Sequence, residues 1–157
     1  MRVGIGYDVH RLAPGRRLVL GGVEIPSAQG LIGWSDADVL THAIIDALLG
    51  AVALGDIGSH FPPGDPQYKD ISSLVLLRRV RDMLKKGGWQ VANVDATIVA
   101  EQPKLRDFIE GMRKKLSQTL DINISQVSVK ASTSEQLGFA GREEGMVAWA
   151  VATITGE

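Results

Sequence analysis

The 157-residue chain contains no cysteine. Disulfides, thiolate zinc sites, iron–sulfur clusters and a thiol nucleophile are therefore excluded, and any metal must be held by histidine and carboxylate. An excess of one charge is also missing: 17 Lys and Arg stand against 18 Asp and Glu, for a formal net charge of -1. No basic field exists to hold nucleic acid through its phosphates, so no nucleic-acid partner is expected. Long apolar runs are absent too. The longest, residues 43–54, is broken by Asp46 and is too short to span a bilayer. The opening MRVGIGYDVH alternates apolar with polar residues and glycine, unlike a signal peptide. A cytoplasmic protein with no membrane partner is expected. With no internal repeat, low-complexity tract or linker, residues 1–157 read as a single domain, and 45% hydrophobic with 22% charged residues is a globular composition.

What the chain does carry is clear periodicity. Val3, Ile5, Tyr7 and Val9 alternate with Arg2, Gly4, Gly6, Asp8 and His10, which predicts a strand with one buried face. Residues 18–20 and 23–25, joined by Gly21-Gly22, predict a hairpin, and residues 27–37 a loop. A helix is expected over 38–54, with acidic residues at its positive end. Residues 59–70, with three prolines, read as a long ordered loop. A helix over 74–86 starting at Ser72 or Ser73, a strand over 91–100 and a third helix from Pro103 to 120 follow, then strands over 127–131 and 146–155. This order predicts an α+β, two-layer domain with a mixed β-sheet covered by helices on one face. In the last strand Met146, Ala148, Ala150 and Ala152 form one face and Val147, Trp149 and Val151 the other, both apolar. Helices can cover one and another subunit the other.

Several residue groups could carry chemistry. Gly4-x-Gly6 lacks the third glycine and the following helix of a dinucleotide fingerprint, and reads better as small residues admitting a close neighbour. Asp8 and His10, two apart on a strand, share a face. Asp38, His42 and Asp46, four apart, form one column on a helix. Two close ligands plus a distant third is the pattern of a catalytic zinc site with one open position, and the column carboxylates could orient the imidazole. Taken alone, the helix fits a core histidine bonded to Asp38 or Asp46 better than a metal ligand. Ser132-Thr133-Ser134-Glu135 suits phosphate oxygens and a hard cation, or a simple turn or cap. His60 reads as a surface histidine.

Together these pieces resemble one family. The matching segments are Gly6-Tyr7-Asp8-Val9-His10-Arg11, Ser35-Asp36-Ala37-Asp38-Val39, His42-Ala43, Asp46-Ala47-Leu48-Leu49-Gly50 and Leu54-Gly55-Asp56-Ile57-Gly58. They continue with Phe61-Pro62, Asp65-Pro66, Asn93-Val94-Asp95, Gln102-Pro103-Lys104, Val129-Lys130-Ala131, Thr133, Glu135-Gln136-Leu137-Gly138-Phe139, Gly141-Arg142 and Glu144-Gly145. The chain resembles, over nearly its whole length, the 2-C-methyl-D-erythritol 2,4-cyclodiphosphate synthases of the non-mevalonate isoprenoid pathway.

The resemblance implies a phosphorus–oxygen lyase that acts on 4-diphosphocytidyl-2-C-methyl-D-erythritol 2-phosphate and releases CMP. It implies a homotrimer with active sites between subunits and an isoprenoid diphosphate as a candidate ligand of the central cavity, near Arg142. It implies that Asp8, His10 and His42 bind Zn2+ and that Glu135 binds a second divalent cation, Mg2+ or Mn2+. Asp56, Ile57, Gly58, Phe61, Pro62, Pro63, Gly64 and Asp65 would meet the erythritol and phosphates. Ala100, Glu101, Gln102, Pro103, Lys104, Leu105, Arg106, Ser132 and Thr133 would line the cytidine side. Ser35, Ser134, Phe139 and Arg142 complete the implied substrate contacts, and Thr133 and residue 34 would steady the diphosphate in the transition state.

Two positions depart from the family pattern. Trp34 stands where the family has His, and an indole offers one N–H donor and no charge. Pro63-Gly64 replaces Asp-Thr. The implied reaction needs no protein nucleophile, because a phosphate monoester is already anionic near neutral pH. The difficulty is holding anion against anion. A metal-dependent phosphohydrolase, and a trimeric nucleotide- or isoprenoid-diphosphate-binding protein with activity reduced or lost through Trp34, are the competing readings.

Overall fold

The computed structural model describes residues 1–156. The chain opens with β1 (Arg2–Pro14), the hairpin β2 (Leu18–Leu20) and β3 (Val23–Ile25), and a short strand β4 (Gln29–Leu31). Next come α1 (Val39–Ala51), the single turn α2 (Ile57–His60) and α3 (Ser73–Lys86). They are followed by β5 (Trp89–Val99), α4 (Ile109–Leu120), β6 (Val127–Ser132), the turn α5 (Gly138–Gly141) and β7 (Gly145–Gly156). Five strands form one sheet in the order β4-β1-β7-β5-β6, while β2 and β3 pair separately. The β5/β6 pair is parallel and the others are antiparallel. This is the expected mixed sheet of an α+β fold, with α1 against β1 and β7, α3 against β5, and α4 against β6.

The final strand fills the centre of the sheet. Its Ala148, Ala150 and Ala152 are buried beneath α1. That helix is apolar nearly all round and is accordingly buried on almost every side. Asp38 caps it, accepting from the Thr41 amide at 3.0 Å, and its oxygens also accept from the Gly21 and Gly22 amides at 2.9 and 2.8 Å. One carboxylate thus ties the hairpin to the helix start. Burial, with the nearby Asp36 charge, pushes its carboxyl upward.

The structure departs from the sequence expectations in three places. On β1 it is Gly4 and Gly6 that face the helix layer, while Val3, Ile5, Tyr7 and Val9 point away and are exposed. The strand alternates as expected, and the face buried within the chain is the glycine face. Residues 29–31 form an edge strand against β1 rather than loop, too short to show a period. Pro103 does not open a helix; helical turns begin at Arg106 and α4 at Ile109.

Candidate active site

The even-numbered face of β1 carries Gly4, Gly6, Asp8 and His10. A Cβ on Gly6 would lie 1.8 Å from the Ala43 carbonyl oxygen, and one on Gly4 1.9 Å from that of Ala47. The absent side chains let the backbone of α1 rest directly on the strand. His42, one residue before Ala43, is thereby brought over Asp8 and His10. His10 Nε2 lies 2.9 Å from Asp8 Oδ2, His42 Nδ1 lies 3.1 Å from the same oxygen, and the two nitrogens are 3.2 Å apart.

The outer ring nitrogens define what the inner ones offer. His10 Nδ1 lies 2.7 Å from the Ile32 carbonyl, which only accepts, so Nδ1 carries the proton and Nε2 presents a lone pair. His42 Nε2 lies 2.7 Å from Ser73 Oγ and 3.2 Å from Ser35 Oγ. Burial opposes ionisation of Asp8, yet hydrogen bonds and charge from His10 and His42 outweigh it and hold its carboxyl at about 2. Burial likewise opposes charge on His10, and the Asp8 carboxylate outweighs it and raises the imidazole. One carboxylate and two imidazoles thus converge on one point, where they could hold a cation together. Ligands about 2.0–2.1 Å from a tetrahedral zinc lie about 3.3 Å from one another, close to the spacing here. The donor set fits a divalent metal, and among the described residues it is the one cluster of three such side chains.

The other carboxylates of the helix column do not orient His42. Asp38 is committed to the hairpin and helix cap. Asp46 accepts from the Ile57 amide at 2.7 Å, and so ties α1 to the segment of Asp56, Ile57 and Gly58. Asp56 caps α2, accepting from the Ser59 amide and hydroxyl, which lower its carboxyl. The partners of the imidazole are Ser35 and Ser73 instead, and Ser73 is held by Asp36. Ser73 carried no signal beyond a helix start, since nothing in the spacing relates it to Asp36 or His42.

Trp34 sits beside the proline-rich loop. Its indole N–H donates to the Asp65 carbonyl at 2.9 Å, and its own carbonyl accepts from the Asp70 amide at 2.9 Å. The one N–H donor of the indole is therefore engaged in fastening this loop. Phe61 is buried edge-on to Tyr68, Pro62, Pro63 and Gly64 are exposed, and Asp65 accepts from the Gln67 amide. His60 is half-buried and bonds the Leu54 carbonyl.

A cavity of about 260 Å³ lies between the ends of β5 and β6 and α4, lined by Ala100, Pro103, Lys104, Leu105, Arg106, Ile109, Ala131, Ser132 and Thr133. Of the expected cytidine-side residues, Glu101 and Gln102 do not line it. Glu101 accepts from the Ser134 and Gln136 amides at 2.9 and 3.2 Å and shapes the loop of Ser134 and Glu135. Ile109 and Ala131, which are not among the implied substrate contacts, join the lining. Glu135 and Phe139 are exposed, and Arg142 pairs with Glu144 at 3.1 Å. Asp8 pairs with Ala148, which pairs with Ile98, so the metal triad and the cavity share one end of the sheet.

The fold is a mixed sheet under helices, with a candidate carboxylate–imidazole metal site and a cavity at one sheet end. A model of the YgbB family matches residues 1–155, and the chain belongs to that family. It is 69% identical over 154 residues to the 2-C-methyl-D-erythritol 2,4-cyclodiphosphate synthase of Dehalococcoides mccartyi (strain CBDB1), covering 98% of each chain. Its fold is similar to bifunctional IspDF from Campylobacter jejuni, with a TM-score of 0.96 and 40% identity. That match covers 99% of this chain and 42% of the larger one. It is also similar to the CDP complex of IspF from Plasmodium falciparum, with a TM-score of 0.87 and 33% identity over 99% of this chain and 96% of that one. Among the described residues no helix is long and apolar enough to cross a membrane.

Proposed function

We propose that this protein converts 4-diphosphocytidyl-2-C-methyl-D-erythritol 2-phosphate to 2-C-methyl-D-erythritol 2,4-cyclodiphosphate and CMP, acting as a cytoplasmic phosphorus–oxygen lyase with residues 1–157 as one domain. The observation that carries this is the convergence of Asp8, His10 and His42 on one point, at the sheet end that also bears the cavity. The silent-binder alternative is not favoured, because the similar proteins are synthases.

An oxygen of the 2-phosphate bonds to the β-phosphorus, the bridge to the α-phosphate breaks, and CMP leaves with that electron pair. No proton need be taken from the attacking phosphate, so the residues have only to bind and align. Asp8, His10 and His42 would hold Zn2+, and Glu135 a second cation, Mg2+ or Mn2+. Such ions, when bound, neutralise phosphate charge and polarise the P–O bonds. The cavity floored by Ala100, Leu105 and Ala131 would take the cytosine, with Lys104, Arg106 and Thr133 at its polar side. The segment of Asp56 to Gly58 and the loop of Phe61 to Asp65, fastened by Trp34, would seat the erythritol.

The same reading makes the protein a homotrimer. Val3, Ile5, Tyr7, Val9, Trp149 and Val151 form one contiguous exposed apolar sheet face, the kind of patch that marks an interaction surface. Two further copies would cover it around a threefold axis, with Arg142 and Glu144 lining a central cavity suited to an isoprenoid diphosphate.

Incubation with the cognate substrate, Zn2+ and Mg2+ should give CMP and cyclic diphosphate in equal amounts. An opened phosphate product would make the protein a hydrolase, and binding without turnover would make it a silent binder. Either overturns the assignment.

A further inference from the structure

Ser73 is fully buried at the first turn of α3. Its hydroxyl lies between two groups: His42 Nε2 at 2.7 Å and Asp36 Oδ1 at 2.5 Å. The Ser73 amide donates to the other Asp36 oxygen at 2.9 Å, and the Asp38 amide reaches Oδ1 at 3.1 Å. The Asp36 carboxylate thus receives three donors and offers none. A serine hydroxyl has one proton, and here it goes to the carboxylate. The lone pair left on Ser73 Oγ then accepts from His42, which places the imidazole proton on Nε2. In a neutral ring that leaves the lone pair on Nδ1, the atom facing Asp8 and His10.

We propose that Asp36 and Ser73 are positioning residues that fix the tautomer and ring orientation of His42 for a divalent cation. The proposal rests on the reading of Asp8, His10 and His42 as a metal site. Neither Asp36 nor Ser73 belongs to that donor set. They act through His42, by holding its proton on the side away from the ion. In the opposite tautomer the proton would sit on Nδ1, inside the donor set, where it competes with the metal. Ser35 is the weaker partner, because it is farther from Nε2, at 3.2 Å, and its oxygen already accepts from the Ala37 amide at 3.3 Å.

Partners of this kind commonly govern about 10- to 100-fold in metal affinity. Zinc affinity of the purified protein, measured by competition with a chromophoric chelator, should therefore fall by about 10- to 100-fold in Ser73→Ala. Asp36→Asn should lower it by about tenfold, and Ser35→Ala by less than about threefold. Nitrogen-15 spectra of zinc-loaded wild type should show the His42 proton on Nε2 and the metal on Nδ1. A general loosening of α3 would lower the melting temperature without this ranking and without altering the tautomer. If Ser73→Ala does not fold, Asp36→Asn and the wild-type spectrum decide. Zinc affinity of Ser73→Ala or Asp36→Asn within twofold of wild type, or a His42 proton on Nδ1, overturns the proposal. Wild type that binds no zinc overturns it together with the metal reading. Zinc binding without CMP release overturns only the activity reading.

Discussion

The two faces of β1 and β7 are built on opposite plans. Toward the helices stand Gly4, Gly6, Asp8 and His10 with Met146, Ala148, Ala150 and Ala152. Away from them stand Val3, Ile5, Tyr7 and Val9 with Trp149 and Val151. The face with the smaller side chains is the buried one: Ala148 and Ala152 are 0% exposed, while Val3 and Ile5 are 61% and 66% exposed. Small residues here mark where one backbone rests on another, and that contact sets the distance from His42 to Asp8 and His10 on the strand. Bulky residues mark a surface that a single chain leaves open.

The strongest way to break this contrast is to add one methyl group to the helix-facing side. Gly6→Ala places a Cβ against the Ala43 carbonyl, which a helix backbone cannot yield cheaply, and should cost about 3 kcal/mol, the upper part of the usual overpacking range. Urea unfolding and zinc content should fall together. A variant with wild-type stability and full zinc would show that the close approach is not needed. On the other face, Ile5→Asp should leave the chain folded but unable to assemble. Light scattering should then report the mass of one chain, where wild type should give that of three. Wild type that is already monomeric at micromolar concentration would remove the role given to that face.

Much of the helix-facing side was legible in the sequence. Asp8 and His10 share a face by period alone, Gly4-x-Gly6 announced a close neighbour, and His42 was the one histidine on an apolar helix. The reversed sidedness of β1 was not legible, because Val, Ile and Tyr look like core until the glycines are seen to accept a helix. Three-residue β4 is too short to show a period. The Ser73–Asp36 pairing spans 37 residues and depends on where a hydroxyl proton goes, which no spacing records. Asp46 was assigned by helical spacing to the wrong neighbour. It lies on the column of His42, but its oxygen turns to the Ile57 amide.

Smaller effects sharpen the picture. Asp46→Ala removes one charge-assisted bond to the Ile57 amide, worth about 1.5 kcal/mol locally, so KM should rise roughly tenfold through a looser Asp56–Gly58 segment, with zinc content unchanged. An equal loss of zinc would return Asp46 to the metal site. Trp34→Phe keeps a ring and removes the N–H to the Asp65 carbonyl, about 1 kcal/mol, and KM should rise about fivefold with kcat within twofold. A hundredfold fall in kcat at unchanged KM would instead mean that the indole donates to the reacting phosphates.

The proposed metal site depends on glycine-mediated packing of α1 on β1. Metal analysis of wild type and His42→Ala, both checked for fold by circular dichroism, tests it most directly. Wild type should carry one equivalent of zinc per chain, and the folded variant should lose tight binding. Stoichiometric zinc retained at the same site in His42→Ala would contradict it.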